Sequence, residues 1–413
     1  MMVNVERIKR DIETMAGFTS TPGDGVTRLS FSEEDRRARD YMKGEMERAG
    51  LVVYEDAAGT IFGRREGSKK KGKKAASIMI GSHFDSVPHG GAFDGTAGVV
   101  AAIEIARVMN EKGTVTEHPV EFVAFIEEEG GRFGSGLFGS RAIKGDVTVD
   151  DLKNAIDADG VSMYKAMMDF GLDPDGIRKA KRGKGSIAAF IELHIEQGPV
   201  LENEGVDIGI VEGIVGISEY EVEIIGSPDH AGTTPMTLRH DALVEASDLI
   251  IYVNELAKTV GEGTVGTVGK IRIEPGAANV VPGKVIMSVD IRSMDRMIMD
   301  EIWGKLKSGA DVLKEKGFEV NYSNKLYVPP VSLDENIRDI IKSVAEKLGY
   351  KHRGMVSGAG HDAMVMASIA PAAMVFVPSK NGRSHCPEEW TDYEDLAKGA
   401  EVVLETLLEL DKK

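Results

Sequence analysis

Apolar positions gather along the chain into four short, mostly apolar runs, and each run stops abruptly at polar residues. The runs at 76–80, 120–126, 188–193 and Ala372–Val377 have the length and the β-branched and aromatic content of strands buried on both faces. The first leads into Gly81-Ser82-His83-Phe84-Asp85 and on through His89 to Asp94-Gly95, and the second ends in Glu127-Glu128-Glu129-Gly130-Gly131. The third ends in His194-Ile195-Glu196-Gln197-Gly198-Pro199, and the fourth is followed by Pro378 and then Gly382-Arg383-Ser384-His385-Cys386. In an open α/β sheet, ligands sit in the crevice beyond the carboxyl ends of the strands, so all four loops fall where chemistry is expected.

Elsewhere the 3.6-residue period predicts helices at 5–15, at 32–50 with Ser32 as cap and Gly50 as stop, at 99–109, at 134–143, with interruptions at 150–170, and at 335–348. A final helix is expected behind a Thr391/Glu394 capping box. Strands are expected at 51–56 and 60–65, and the lysine run 69–74 reads as an exposed hairpin tip. After Pro199 the pattern changes. An alternating strand at 217–225, a helix at 241–260, strands at 264–273 and 284–291, a helix at 295–316 and a strand at 318–327 spell β-α-β-β-α-β, which folds as a four-stranded antiparallel sheet with two helices on one face. The expected organisation is one domain from 1–213 and 329–413, interrupted by a second at 214–328.

Charge and cysteine content narrow the function. A net charge of −17 over 413 residues argues against nucleic-acid binding, which depends on basic surface. No stretch approaches the roughly 18 apolar residues of a membrane span. Cys386 is the sole cysteine, so an intrachain disulfide is excluded and a reducing, cytoplasmic setting is expected. A nucleophilic role for it is disfavoured, because no partner base is evident.

The four loops carry metal-ligand chemistry. Imidazole and carboxylate both bind zinc and its first-row neighbours, and Asp85, two residues after His83, is placed to accept the ring's other N–H. A metal explains why four buried strands all end in His or acidic residues, with glycines that let the backbone come close. His361 and Asp362 follow a glycine turn and are read as pocket floor, and His89, His118, His240 and His352 as structural.

These motifs resemble a known group. Gly81-Ser82-His83 to Asp94-Gly95, Glu128-Glu129-Gly130 with Arg132-Phe133, Glu192-Leu193-His194-Ile195-Glu196-Gln197-Gly198-Pro199, His230-Ala231-Gly232-Thr233-Thr234-Pro235-Met236 and 357–362 are similar to the dinuclear-metal amidohydrolases. That group includes N-carbamoyl-L-amino acid hydrolases, allantoate amidohydrolases and β-ureidopropionases, relatives of the zinc aminoacylases and dipeptidases. The resemblance covers nearly the whole chain. It implies a zinc-aminopeptidase-like α/β catalytic domain, with a mixed sheet flanked by helices, and an inserted ferredoxin-like α+β lid that joins two chains as a homodimer. It further implies two divalent ions (Zn²⁺, or Mn²⁺ or Co²⁺), one on His83 and His194, the other on Glu129 and His385, with Asp94 bridging. Glu128 would be the general base, and Gln197, His230, Asn279, Arg292 and Gly360 would contact substrate. His230 would assist catalysis, reaching across to the partner's site.

The chemistry suits the resemblance. A ureido carbonyl is a poor electrophile, so its hydrolysis needs a polarising ion, an activated water and a carboxylate to move the proton. His230 could bond the developing oxyanion, and Arg292 could clamp an α-carboxylate at two points unless it merely pairs with Asp290 or Asp295. The expected reaction splits an N-carbamoyl-L-amino acid into amino acid, ammonia and carbon dioxide. Allantoate amidohydrolase is the nearest rival, then a zinc dipeptidase or aminoacylase, then a non-catalytic binding protein.

Overall fold

The computed structural model describes residues 3–68, 75–261 and 263–412, so the expected lysine hairpin lies outside the described residues. The chain has a mixed α/β fold in two compact units: Met1–Glu212, Leu333–Met355 and His361–Lys413 form one, Gly213–Ser332 with Val356–Gly360 the other.

In the first unit the main sheet runs in the order Val52–Glu55, Ile61–Arg65, Val120–Phe125, Ser77–His83, Ile187–Ile195, Ala372–Val377, Ile208–Ile214. The middle four strands are parallel, and those outside them pair antiparallel. Every residue of Ser77–His83, Val120–Phe125 and Ala372–Val377 is buried, which is why these strands read as continuous apolar runs rather than as alternation. Gly81 allows two of them to close up: a Cβ there would stand 1.9 Å from the Val123 carbonyl oxygen. The helix Thr96–Glu111, buried from Thr96 to Met109, packs on this sheet and against the helices Val5–Ala16 and Tyr393–Asp411. Because the central strands are parallel, their carboxyl ends emerge on one edge, and the four polar loops emerge together.

Three local expectations fail. Strands Ile208–Ile214 and His352–Ser357 went unread because Gly209, Gly213 and Gly354 interrupt their patterns. The last helix starts at Tyr393 with Asp392 at the cap position, and Thr391 Oγ1 instead donates to the Pro378 carbonyl (3.0 Å), so there is no Thr391/Glu394 capping box. The single strand expected at 264–273 is two short ones, Val265–Thr267 and Ile271–Glu274.

In the second unit the strand order is Glu319–Val328, Gly216–Ile225, Lys284–Ser293, Val265–Thr267, with Ile271–Glu274 also on Lys284–Ser293, all antiparallel. Burial alternates strictly along Gly216–Ile225 and Lys284–Ser293. The inward residues Val222, Ile224, Val285, Met287, Val289 and Ile291 meet Leu249 and Val253 of helix Ala242–Thr259 and Ile302 and Leu306 of helix Arg296–Glu315. Each such aliphatic side chain contributes about 1.5–3 kcal/mol on burial. The opposite face carries ion pairs such as Lys325–Glu221 at 3.1 Å. Among the described residues no helix is long and apolar enough to cross a membrane.

Candidate metal centre

Six of the expected groups converge at the carboxyl edge of the parallel strands. His83, Asp94 and His194 form one set of possible ligands, His83, Glu128 and Glu129 a second, and Asp94, Glu129 and His385 a third, the donor atoms of each set lying within 4.8 Å of one another. Asp94 faces two ways. Its Oδ1 lies 3.5 Å from His83 Nε2 and 3.2 Å from His194 Nε2, while Oδ2 lies 3.2 Å from His385 Nε2. Gly95 makes the approach possible, since a Cβ there would sit 2.3 Å from the His83 ring.

The ring nitrogens show what the centre is built for. His83 Nδ1 is 3.1 Å from the Asp85 carbonyl oxygen and His194 Nδ1 is 2.9 Å from that of Ile195. Carbonyls only accept, so Nδ1 carries the proton in each neutral ring and Nε2 presents a lone pair. The Gly95 N–H, 3.3 Å from His194 Nε2, agrees. These lone pairs face carboxylate oxygens, an arrangement that repels unless a proton or a metal ion lies between them. Glu129 Oε1 is likewise buried and faces the Nε2 of His385 at 3.4 Å. Mixed imidazole and carboxylate donors with Nδ1 fixed by backbone carbonyls fit a first-row divalent ion.

Electrostatics points the same way. Burial pushes Glu128 up, and Glu129, Asp362 and Asp85 push it further, against His83. Burial opposes a charged His83, yet Glu128, Asp94 and Asp85 lift its pKa well above the ordinary value. Contacts with Asp94 and Glu129 lift His385 to about 10. The cluster draws positive charge onto any group able to take it, and a bound ion meets the same demand.

Asp85 departs from expectation. Its carboxylate is 3.7 Å from His83 Nδ1, and it accepts instead the backbone N–H groups of Glu128 (3.0 Å) and Glu129 (3.1 Å). It thereby aims the two glutamates, while its carbonyl oxygen orients His83. Glu127 holds φ at 53° and turns its carboxylate to the Phe133 N–H (3.0 Å), away from the ligand sets. Gln197 and His385 each hold φ at 57°, and backbone held in this sparsely populated region concentrates at working sites.

Glu389, a supporting residue, is not legible in the sequence. Glu389 accepts the N–H groups of Phe93 and Asp94, each at 2.9 Å, and Ser384 Oγ lies 2.7 Å from it and 3.0 Å from Asp94 Oδ2. The one available hint was its place four residues after His385. Gln197 Nε2 donates to Asp94 Oδ2 (2.9 Å), while its buried Oε1 accepts nothing. His361 packs edge-on against His194 at 4.6 Å between ring centroids and belongs to none of the ligand sets. Cys386 is half-buried and free.

The other expected residues lie in the second unit. His230 and Asn279 are exposed on neighbouring strands of chain, joined by the bridge His230–Val280 and by Ala231 N–H donating to the Asn279 carbonyl (3.0 Å). His230 Nδ1 accepts the N–H groups of Gly232 (3.0 Å) and Thr233 (3.2 Å), which leaves the neutral ring's proton on Nε2. Arg292 pairs through Nε and Nη2 with Asp290 (2.9 and 3.2 Å) and donates from Nη1 to the Gly358 carbonyl (2.8 Å), two residues before Gly360. Pairing with Asp290 orients the guanidinium.

Fold and site together define an α/β protein whose parallel strands deliver a buried imidazole–carboxylate cluster suited to divalent metal. A family model for peptidase family M20/M25/M40 matches residues 79–409, and the chain belongs to that family. It is 46% identical to an N-carbamoyl-L-amino-acid amidohydrolase of Paenarthrobacter aurescens over 98% of each chain. It is 35% identical to an allantoate amidohydrolase of Bacillus subtilis over 97% of this chain and 96% of that one. Among solved structures, an amidase of the hydantoinase/carbamoylase family from Burkholderia multivorans superposes with a TM-score of 0.93 at 35% identity, covering 100% of this chain and 99% of the other.

Proposed function

We propose that this protein is a metal-dependent amidohydrolase that cleaves the carbamoyl C–N bond of an N-carbamoyl-L-amino acid, releasing L-amino acid, ammonia and carbon dioxide. The observation that carries the reading is the convergence of Asp94 with five further His and Glu side chains, most of them buried, in a chain 46% identical along its length to an enzyme of that name. Two divalent ions, zinc or else manganese or cobalt, on His83 and His194 and on Glu129 and His385 with Asp94 shared, would polarise the ureido carbonyl and acidify a water.

The chain's own groups do the rest. Glu128, aimed by Asp85, takes the water's proton and returns it to the departing nitrogen. Gln197 Oε1, a buried acceptor without a donor, suits the N–H groups of a carbamoyl substrate. His230 offers Nε2–H to the developing oxyanion. Arg292, oriented by Asp290, receives the α-carboxylate, with Asn279 and Gly360 as further substrate contacts.

Residues 214–328 serve in this reading as an inserted ferredoxin-like lid that joins two chains, each lending His230 to the other's site. Exposed Val265 and Ile271 on its short edge strands favour such pairing. Mixing inactive Glu128→Ala chains with inactive His230→Ala chains should restore activity in exchanged dimers, and a mixture no more active than its components would refute the sharing. A lone free cysteine fits the cytoplasm. Allantoate amidohydrolase stands as second reading because of the Bacillus subtilis relative. The deciding experiment is a panel of N-carbamoyl-L-amino acids, allantoate, N-acetyl amino acids and dipeptides, followed by ammonia and amine release with added Zn²⁺, Mn²⁺ or Co²⁺. The highest kcat/KM is expected on an N-carbamoyl-L-amino acid, and preference for any other class overturns the assignment.

A further inference from the structure

Arg28 stands first among the largest fully buried side chains, in a segment whose polar sequence reads as an ordinary loop. Burying a guanidinium is costly unless its charge is paired, yet none of its hydrogen-bond partners is a carboxylate. Its Nε donates to the Phe84 carbonyl (2.6 Å), Nη1 to the carbonyls of Met15 (2.7 Å) and Phe18 (3.3 Å), and Nη2 to Thr96 Oγ1 (2.8 Å). Phe84 follows the ligand candidate His83, and Thr96 comes two residues after Asp94. One rigid fork therefore grips both ends of the loop that begins just after His83 and carries Asp94.

The backbone on either side of Arg28 continues the grip. Arg28 N–H donates to Ser86 Oγ (2.9 Å), Ser86 N–H returns to the Arg28 carbonyl (3.2 Å), and Ser86 Oγ donates to the Val26 carbonyl (3.1 Å). Val26 and Gly90 exchange N–H···O bonds of 2.9 Å, and His89 N–H donates to Thr27 Oγ1 (2.7 Å). Residues 26–28 form a rail along which the loop from Phe84 to Gly90 is laid. Burial pulls the guanidinium down to about 10, with Asp35 and Asp85 supporting its charge, so Arg28 stays cationic at neutral pH. A lysine could supply that charge. It could not supply donors in three fixed directions from one plane.

We infer that Arg28 is a positioning residue of the metal centre: it closes the loop from Phe84 to Thr96 so that His83 and Asp94 are held at ligand separation before any ion arrives. This rests on the metal reading above. It differs from a plain stabilising role, because it ties Arg28 to the affinity of the folded protein for metal.

The test is Co²⁺ titration of metal-free protein, followed by the visible absorption of bound Co²⁺ and by equilibrium dialysis, on wild type, Arg28→Lys, Arg28→Gln and Thr96→Val. Leu407→Ala, a fully buried site on the last helix, serves as a destabilised control. Affinity is expected to fall about 10–100-fold in both Arg28 variants, the range for groups that orient ligands. A smaller loss in the same direction is expected in Thr96→Val, and wild-type affinity in Leu407→Ala. Folded Arg28→Gln or Arg28→Lys protein that binds Co²⁺ as wild type does would overturn the inference. Should neither fold, Thr96→Val decides, and unchanged Co²⁺ affinity and spectrum there overturns it equally. Wild type that takes up no Co²⁺ would instead refute the metal reading itself.

Discussion

The residues of the first unit proposed to hold metal and those of the second unit proposed to meet substrate are built in opposite ways. In the first unit His83, Asp94, Glu128 and His194 are buried, Glu129 is half-buried and His385 alone of the six is exposed, and backbone groups or buried carboxylates hold the loops that bear the buried four. In the second unit His230 and Asn279 are exposed and Arg292 is half-exposed, and they are held by neighbours within that unit: His230 by its own turn, Asn279 by Ala231, and Arg292 by Asp290 and the Gly358 carbonyl. The contrast follows from what each set must do. Ligand atoms must stand at separations good to a fraction of an ångström before the ion arrives, which calls for immobile, desolvated groups. Groups that read a substrate must first admit it, so they remain at the surface.

The largest expected effect tests the immobile side. Asp94→Ala removes the carboxylate that faces His83 and His194 with one oxygen and His385 with the other, and should abolish metal retention and turnover together; metal analysis beside an activity assay checks this, and unchanged metal content would break the contrast. Next comes Glu128→Gln, expected to keep its metals and lose about 10²–10⁴-fold in kcat, as removal of a general acid–base group does. Glu127→Gln should leave kcat near wild type, because that carboxylate serves the Phe133 N–H; the opposite pattern would reassign the base. The smallest effect belongs to the exposed side. Arg292→Lys keeps the charge but loses the two-point fork, so KM for carboxylate substrates should rise about tenfold or more with bound metal unchanged, matching the 1–3 kcal/mol of a charge-assisted pair. Equal KM values would remove Arg292 from recognition.

The same contrast explains what could be read without coordinates. The four parallel strands were legible because burial on both faces leaves a run that is almost wholly apolar, broken only by single residues such as Glu121 and Glu192, and the ligand residues were legible because they end those runs. Strands Ile208–Ile214 and His352–Ser357 escaped because glycine interrupts their patterns; at Gly209 a Cβ would lie 2.6 Å from Met355 Sδ, so tight packing erased the signal. Supporting groups escaped for a different reason. Arg28 and Glu389 are charged residues in polar loops, and a charge in a loop reads as solvated unless its partners are known. Those partners are backbone groups 56 and 295 residues away, for Phe84 and Asp94 respectively. The spacing of Asp85 points to the His83 ring, whereas its carboxylate takes the backbone of Glu128 and Glu129, since spacing alone cannot tell a ring N–H from the backbone of a neighbouring strand end.

The central claim is that the cluster around Asp94 works through bound divalent metal on a ureido acid. Ammonia release from an N-carbamoyl-L-amino acid, measured before chelation, after chelation and after returning Zn²⁺, Mn²⁺ or Co²⁺, tests it most directly. The account predicts activity lost with the metal and restored by at least one of these ions at two per chain; full activity in verified metal-free protein would contradict it.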